Sequence, residues 1–120
     1  MYAGTSERAA IEEARDTLAW YFERQSKVVS ADANRNSGGT KDDVRRQTAE
    51  CLATLSYDDI LATRVAVGSF RGLVERLQQL REELGLDGIL AELNAGGRLS
   101  AEQVKGSLRL LTHEVMPHFK

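Results

Sequence analysis

The sequence predicts a helix-rich α/β chain whose C-terminal part, residues 65–120, is a strand–helix–strand–helix unit. Short apolar runs at residues 65–67 and 88–93 are each followed by a glycine-containing loop, and a segment with helical periodicity follows each loop. Parallel strands joined by a crossover helix are the usual consequence of this order. Residues 1–64 are predicted to be helical, and the two parts to form one partial domain.

The helical part is predicted to begin with a long amphipathic helix. Thr5 with Ser6 supplies an N-cap, and apolar residues recur at steps of three and four to about residue 27. Three consecutive aromatic residues, Trp20, Tyr21 and Phe22, lie within this helix. The pattern favours an anchor to the hydrophobic core, and it leaves open a stacking surface for a planar ligand or a partner.

A flexible loop is predicted at about residues 29–41, where asparagine, serine and glycine replace apolar residues. Loops of this length are usually functional or disordered, so a substrate-covering insertion and a plain linker both remain open. A second helix follows, and then a short one capped by Ser56. Cys51 lies in the apolar stripe of the second helix without a nearby histidine, which predicts a small buried hydrophobic residue and not a catalytic thiol.

The C-terminal unit carries clear helix-end signals. Ser100 and Gln103 form a predicted capping box, Gly85 is predicted to end the preceding helix, and Pro117 the last one. Gly72 stands in a first helical turn, where glycine costs about 0.5–1 kcal/mol relative to alanine. A close approach by another backbone or by a ligand would explain it, and so would neutral drift.

Composition narrows the classes of function. The chain has 120 residues, a net charge of −2 and an isoelectric point of about 5.7, which argues against a nucleic-acid-binding protein. One cysteine allows neither an internal disulfide nor a cysteine zinc cluster, and His113 and His118 are five residues apart, whereas a helical zinc pair needs four. No metal is therefore expected. The absence of a long apolar run or a signal peptide predicts a cytoplasmic protein without membrane association.

Two loops are candidate binding sites. In parallel α/β folds, ligands bind beyond the carboxyl ends of the strands, which here are followed by Gly68 with Ser69 and by residues 94–97. Each loop leads to a helix N-terminus, whose free N–H groups can hold an anion such as a phosphate. Glu92 interrupts an otherwise apolar strand, either as a strand-end residue reaching solvent or as a functional carboxylate. These features alone specify no reaction.

Several short stretches carry a family resemblance: residues 67–69, 80–90, 92–94 with Gly96 and Gly97, and 107–117. In order and spacing they resemble the C-terminal end of the bacterial luciferase-like, flavin-dependent monooxygenase family, and residues 5–30 resemble the helix that precedes it. The resemblance implies a TIM (β/α)8 barrel. It also implies a reduced flavin, FMN or deazaflavin, and oxygenation or hydride transfer on a small organic substrate.

On this resemblance the chain is the C-terminal βαβα portion of a barrel, with strands seven and eight at residues 65–67 and 88–93. Glu92, Asn94, Gly96 and Gly97 are then cofactor-binding candidates by position, and no catalytic residue is carried over. The sequence departs from the family pattern at residues 70–72 and 98–100, which affects substrate identity.

The chain, with 120 residues, is shorter than a complete TIM barrel. A TIM barrel takes about 250 residues, so this segment is expected to be inactive without the rest of the barrel. The alternative is a non-enzymatic, self-associating or partner-binding α/β module. Because open strand edges are templates for pairing, a homo-oligomer or the remainder of the barrel is the expected partner.

Overall fold

The computed structural model describes the backbone of residues 1–35 and 40–120, and the side chains outside residues 33–42. The described part is helix-rich and contains a two-stranded parallel sheet. In chain order the elements are β1 (Tyr2–Ala3), α1 (Glu7–Arg35), α2 (Thr40–Thr54), α3 (Tyr57–Thr63), β2 (Val67–Gly68), α4 (Phe70–Leu84) and α5 (Ala101–Leu110). A π-helical turn (Leu111–Val115) and a 3-10 turn (Met116–Phe119) continue α5 to the C-terminus.

The parallel sheet has a different second strand from the predicted one. Tyr2 pairs with Val67 and Ala3 with Gly68. The N–H of Tyr2 donates to the carbonyl of Ala66 over 3.0 Å, and that of Gly4 to the carbonyl of Gly68 over 3.0 Å. Residues 88–93 are irregular, so the prediction of a strand there was wrong. An apolar run forms a strand only where it hydrogen-bonds to the edge of another strand. Here β1 is the strand that pairs with β2, in place of residues 88–93.

A side chain of α5 closes the outer edge of β1. Tyr2 and Gly4 direct their N–H groups toward β2, so the N–H of Ala3 points the other way. It donates to the hydroxyl oxygen of Ser107 over 2.8 Å, and Ser107 is only 1% exposed. At this position the edge is therefore satisfied within the chain.

Two apolar clusters lie on opposite faces of the strand pair, because successive strand residues point to opposite faces. The first, mostly on α1, contains Tyr2, Ala10, Ala14, Leu18 and Leu99. The second, on α4 and the C-terminal helix, contains Ala3, Leu73, Val74, Leu111 and Val115. The fold thus has helices on both faces of a minimal sheet.

Helix α1 is longer than predicted and packs against α2. Residues 29–35 are helical, as are residues 40–41, so most of the loop predicted at about 29–41 is absent, and residues 36–39 lie outside the described part. Arg45 of α2 contacts the carboxylate of Asp32 in α1 over 3.2 Å. The described residues at both ends of the predicted loop therefore belong to two helices that pair with each other.

Local capping signals were predicted correctly, and the burial of Cys51 was not. Ser56 with Asp59 and Ser100 with Gln103 form complete capping boxes, and Gly85 ends α4 with φ 64°. Cys51 is exposed, because α2 turns other residues toward its neighbours.

Candidate functional site

The loop after β2 surrounds a carboxylate of the chain itself. Ser69 is the N-cap of α4 and accepts a hydrogen bond from the N–H of Gly72 over 3.3 Å. The Glu7 carboxylate, from the first turn of α1, accepts from the Ser69 N–H over 2.8 Å and from the Ser69 hydroxyl over 3.1 Å. A carboxylate at a helix N-terminus is stabilised by the helix dipole. Glu7 therefore takes the position that an external anion would occupy.

Two glycines leave room for this carboxylate. A Cβ atom on Gly68 would lie 2.7 Å from Glu7 Oε2, and one on Gly72 would lie 2.8 Å from the same atom. This explains why glycine is present in the first turn of α4, despite its conformational cost. The sequence left open a close approach by a backbone or a ligand; the group that approaches Gly72 is instead the Glu7 side chain.

The loop of residues 94–97, the second candidate, is fastened to the middle of α1. The buried Thr17 hydroxyl donates to the carbonyl of Ala95 over 2.6 Å and accepts from the N–H of Arg98 over 3.3 Å. Gly96 has φ 90°, and a Cβ there would lie 2.4 Å from the Thr17 carbonyl oxygen. Close backbone approach is thus required at Gly96, but by α1.

Asn94, Gly97 and Glu92 also serve the loop's own geometry. The Asn94 side-chain oxygen accepts from the N–H of Leu99 over 3.2 Å, and its carbonyl accepts from the N–H of Gly97 over 2.9 Å. Glu92 is exposed, and its carbonyl oxygen accepts from the amino group of Met1 over 2.7 Å. The structure brings Asn94, Gly96 and Gly97 into one turn, and Glu92 lies just before it without joining a shared site.

These contacts test whether the two loops fit a flavin phosphate. The N-terminus of α4 already holds the Glu7 carboxylate, and the Gly96 backbone already touches Thr17. A phosphate at the N-cap of α4 would meet the Glu7 carboxylate, and one at Gly96 would meet α1. A flavin phosphate at either loop would therefore have to displace Glu7 or separate the loop from Thr17.

An apolar groove is a prominent open feature of the described part. It lies between α4, residues 86–93 and the C-terminal helix, with a volume of about 520 Å³, a size typical of ligand and peptide sites. Its walls include Leu77, Ile89, Leu93, Leu108, Leu111 and Met116. Ile89, Leu108 and Met116 are exposed. Leu90 is fully exposed on the segment that forms one wall, which also borders a second groove facing α1.

Charged side chains stand at the rim of this apolar groove. Arg81, Asp87 and Lys120 contribute to its lining, and all three are exposed. Among the described residues, none of these three side chains has an ion pair or hydrogen bond. The rim thus carries both signs of charge, unneutralised within the chain.

The aromatic trio of α1 divides between core and surface. Phe22 packs against the first apolar cluster, as predicted for an anchor. Trp20 is half-buried, and the guanidinium carbons of Arg24 and Arg98 lie 5.0 Å and 5.1 Å from its ring centre. A stacking surface does exist at Trp20, and arginines of the chain use it. Cation–π pairs of this kind contribute about 0.5–1 kcal/mol at exposed sites.

Neither a candidate metal site nor a candidate membrane-spanning helix is found in the described ranges, 1–35 and 40–120. Within them, no three His, Cys, Asp or Glu side chains are grouped as metal ligands would be. No helix there has the length and apolarity needed to cross a bilayer. His113 and His118 are exposed near the C-terminus, as the sequence predicts.

Comparison with known proteins gives no family assignment. The chain matches no family model, no curated protein and no solved structure. Function must therefore be argued from the groove, the loops and the strand pair.

Proposed function

We propose that the chain is a binding module that docks an apolar polypeptide segment in the groove between α4 and the C-terminal helix. The observation that carries this proposal is the apolar groove itself, with exposed Ile89, Leu108 and Met116 on its walls. Soluble proteins rarely leave large apolar patches uncovered unless the patches serve an interaction. The candidate loops, by contrast, are filled by Glu7 and Thr17.

Binding of an amphiphilic fluorescent probe to the dilute chain tests this proposal. We expect anilinonaphthalene sulfonate to bind saturably, because its rings suit the groove and its sulfonate suits Arg81 and Lys120 at the rim. Leu108→Glu should abolish this binding, since the new charge stands on the groove wall. Val44→Glu is the matched control, at an apolar position of α2 that is also exposed.

The result that contradicts the docking function is equally clear. A folded chain that binds no probe, or a Leu108→Glu variant that binds it as tightly as the unchanged chain, places the binding elsewhere. Circular dichroism establishes that each variant is folded. Because Leu108 and Val44 are both exposed, neither substitution removes core packing.

We also propose, as a second candidate, a segment of a luciferase-like flavin-dependent oxidoreductase acting on a small organic substrate. The observation in its favour is the order strand, helices, strand, helix with a parallel strand pair, which is the repeat of a (β/α)8 barrel. Its test is a titration of oxidised and reduced FMN, followed by calorimetry. Saturable micromolar binding supports this candidate, and no binding by the folded chain rejects flavin chemistry by these residues alone.

A cytoplasmic location completes the proposal. Cys51 is the one cysteine of the sequence, and its thiol is exposed. An exposed free thiol stays reduced in a reducing compartment such as the cytosol. Labelling of Cys51 by a thiol reagent in intact cells, before any lysis, gives the measurement: a fully oxidised thiol contradicts the proposed location.

A further inference from the structure

The wall of the apolar groove is also its most prominent ridge. Residues 86–89 and Ala91 line the groove on one side, and residues 89–92, Leu90 among them, line a second groove against α1 on the other. Leu90 stands on this ridge and is fully exposed. An exposed apolar side chain thus stands next to an apolar groove, and two identical surfaces of this kind can interlock.

The rim charges indicate which partner fits. Arg81, Lys120 and Asp87 border the groove, and within the described residues none of these side chains has a partner. A partner of one charge sign would leave either the two cations or the carboxylate without a counter-charge. A second copy carries both signs on the same rim, so that each Arg81 can face an Asp87 across a two-fold axis.

We propose that a second copy of this chain covers the groove, with Leu90 of each copy inserted in the apolar groove of the other. This rests on the proposed docking function and names its partner. In a two-fold interface every contact occurs twice, so Leu90 meets Leu108 and Met116 of the opposite copy at two places. Residues 86–91, irregular and exposed in the single chain, become buried in the dimer.

Analytical ultracentrifugation of the full chain tests the dimer, over a range from about 1 µM to about 1 mM. We expect a reversible monomer–dimer equilibrium. Leu90→Lys and Leu108→Glu should each raise the dissociation constant by about a hundredfold or more, because burial of each leucine accounts for about tenfold and occurs twice. Val44→Glu, remote from the groove, should leave the constant unchanged.

A mixing experiment makes the test specific to this geometry. Leu90→Lys chains self-associate poorly, and so do Leu108→Glu chains. When the two are mixed, one half of the interface pairs the new lysine with the new glutamate and the other half is unchanged. The mixture should therefore dimerise more tightly than either variant by itself. Added salt should weaken this mixed dimer, since one of its contacts is ionic.

Each remaining outcome rejects the second copy as occupant. A chain that stays monomeric over the whole range overturns the proposal, as does a dimer that tolerates Leu90→Lys and Leu108→Glu. If such a monomer still binds the fluorescent probe and loses it on Leu108→Glu, the groove serves another occupant and the docking function stands. If it binds no probe, both proposals fail.

Discussion

Removing the Ser107 hydroxyl tests the most informative contact of the fold. In Ser107→Ala the N–H of Ala3, buried at the edge of β1, loses its acceptor at 2.8 Å. An unsatisfied buried donor costs about 1–3 kcal/mol. Alanine regains about 0.5 kcal/mol of helix propensity in α5. The net loss in the free energy of unfolding is therefore about 0.5–2.5 kcal/mol.

Urea unfolding followed by circular dichroism measures this loss, at one protein concentration for all variants. Thr48→Ala is the matched control: it also removes a helix hydroxyl, but one that is exposed and bonded only to the Val44 carbonyl of its own helix. That variant should change stability by less than about 0.5 kcal/mol. If Ser107→Ala is no less stable than Thr48→Ala, the hydroxyl does not close the edge of β1 and the account of the fold fails.

Three further predictions concern the loops and the strand pair. Gly96→Ala should lower the free energy of unfolding by more than about 2 kcal/mol, because it combines positive φ with a clash at Thr17. Gly97→Ala, which has positive φ but open space around it, should lower it by about 1–2 kcal/mol. Equal losses in urea unfolding would show that the contact with Thr17 does not require glycine at position 96. Glu7→Gln should lower stability by about 0.5–1 kcal/mol, because its hydrogen bonds to Ser69 become weaker. Glu12→Gln, which removes an exposed ion pair with Arg8, should lower it by less than half of that. If thermal unfolding ranks the two variants in reverse, the Glu7 carboxylate does not stabilise the N-terminus of α4. Burial, the hydrogen bond to Glu13 and the negative charge of Glu13 raise the pKa of Tyr2, so the stability from the neutral phenol is complete below the unfolded value of about 10 and is lost as pH rises above it. Tyr2→Phe should flatten that alkaline decline, and an unchanged slope would show that Tyr2 ionises as easily in the folded chain.

Local chemistry was predictable from the sequence because each signal acts within one helical turn. A capping box needs only Ser100 and Gln103 three residues apart, and both bonds are present. The end of α4 needs only a residue that tolerates positive φ, and Gly85 supplies it. Neither feature depends on where the rest of the chain lies. This independence is why the helix ends at residues 56, 69, 85 and 100 agree with expectation.

Strand pairing could not be predicted in the same way, because a strand is defined by its partner. Residues 88–93 have the apolar character of a buried strand, yet they pair with neither β1 nor β2. Tyr2–Ala3 is too short to show any alternation, and it becomes a strand because β2 offers an edge. Competition for an edge between segments about 65 or 90 residues apart leaves no trace in a local pattern.

The candidate loops show how a correct local inference can lead to the wrong partner. Gly72 signalled a close approach, and the approach exists, but it is made by Glu7 from 65 positions earlier in the chain. Gly96 signalled a backbone that something touches, and that neighbour is Thr17. Thr17 is a polar residue on the buried stripe of α1, between Ala14 and Leu18. It was the sign in the sequence that a loop would be hydrogen-bonded to this helix.

Filled loops and an open groove together decide where this chain can bind a partner without rearrangement. Any external anion at the N-terminus of α4 must displace Glu7, and any ligand touching Gly96 must move α1 away from the loop. The apolar groove requires no such displacement, since Leu108 and Met116 already face solvent. The proposed association through the groove needs no change from this conformation, whereas a flavin phosphate site at either loop would have to be opened first. Self-association and FMN binding of the Glu7→Gln variant distinguish these two situations. If it leaves self-association unchanged and still gives no FMN binding, the groove acts alone and the loops are structural. If it exposes saturable FMN binding, the carboxylate was the barrier, and the flavin candidate gains the site that it lacks.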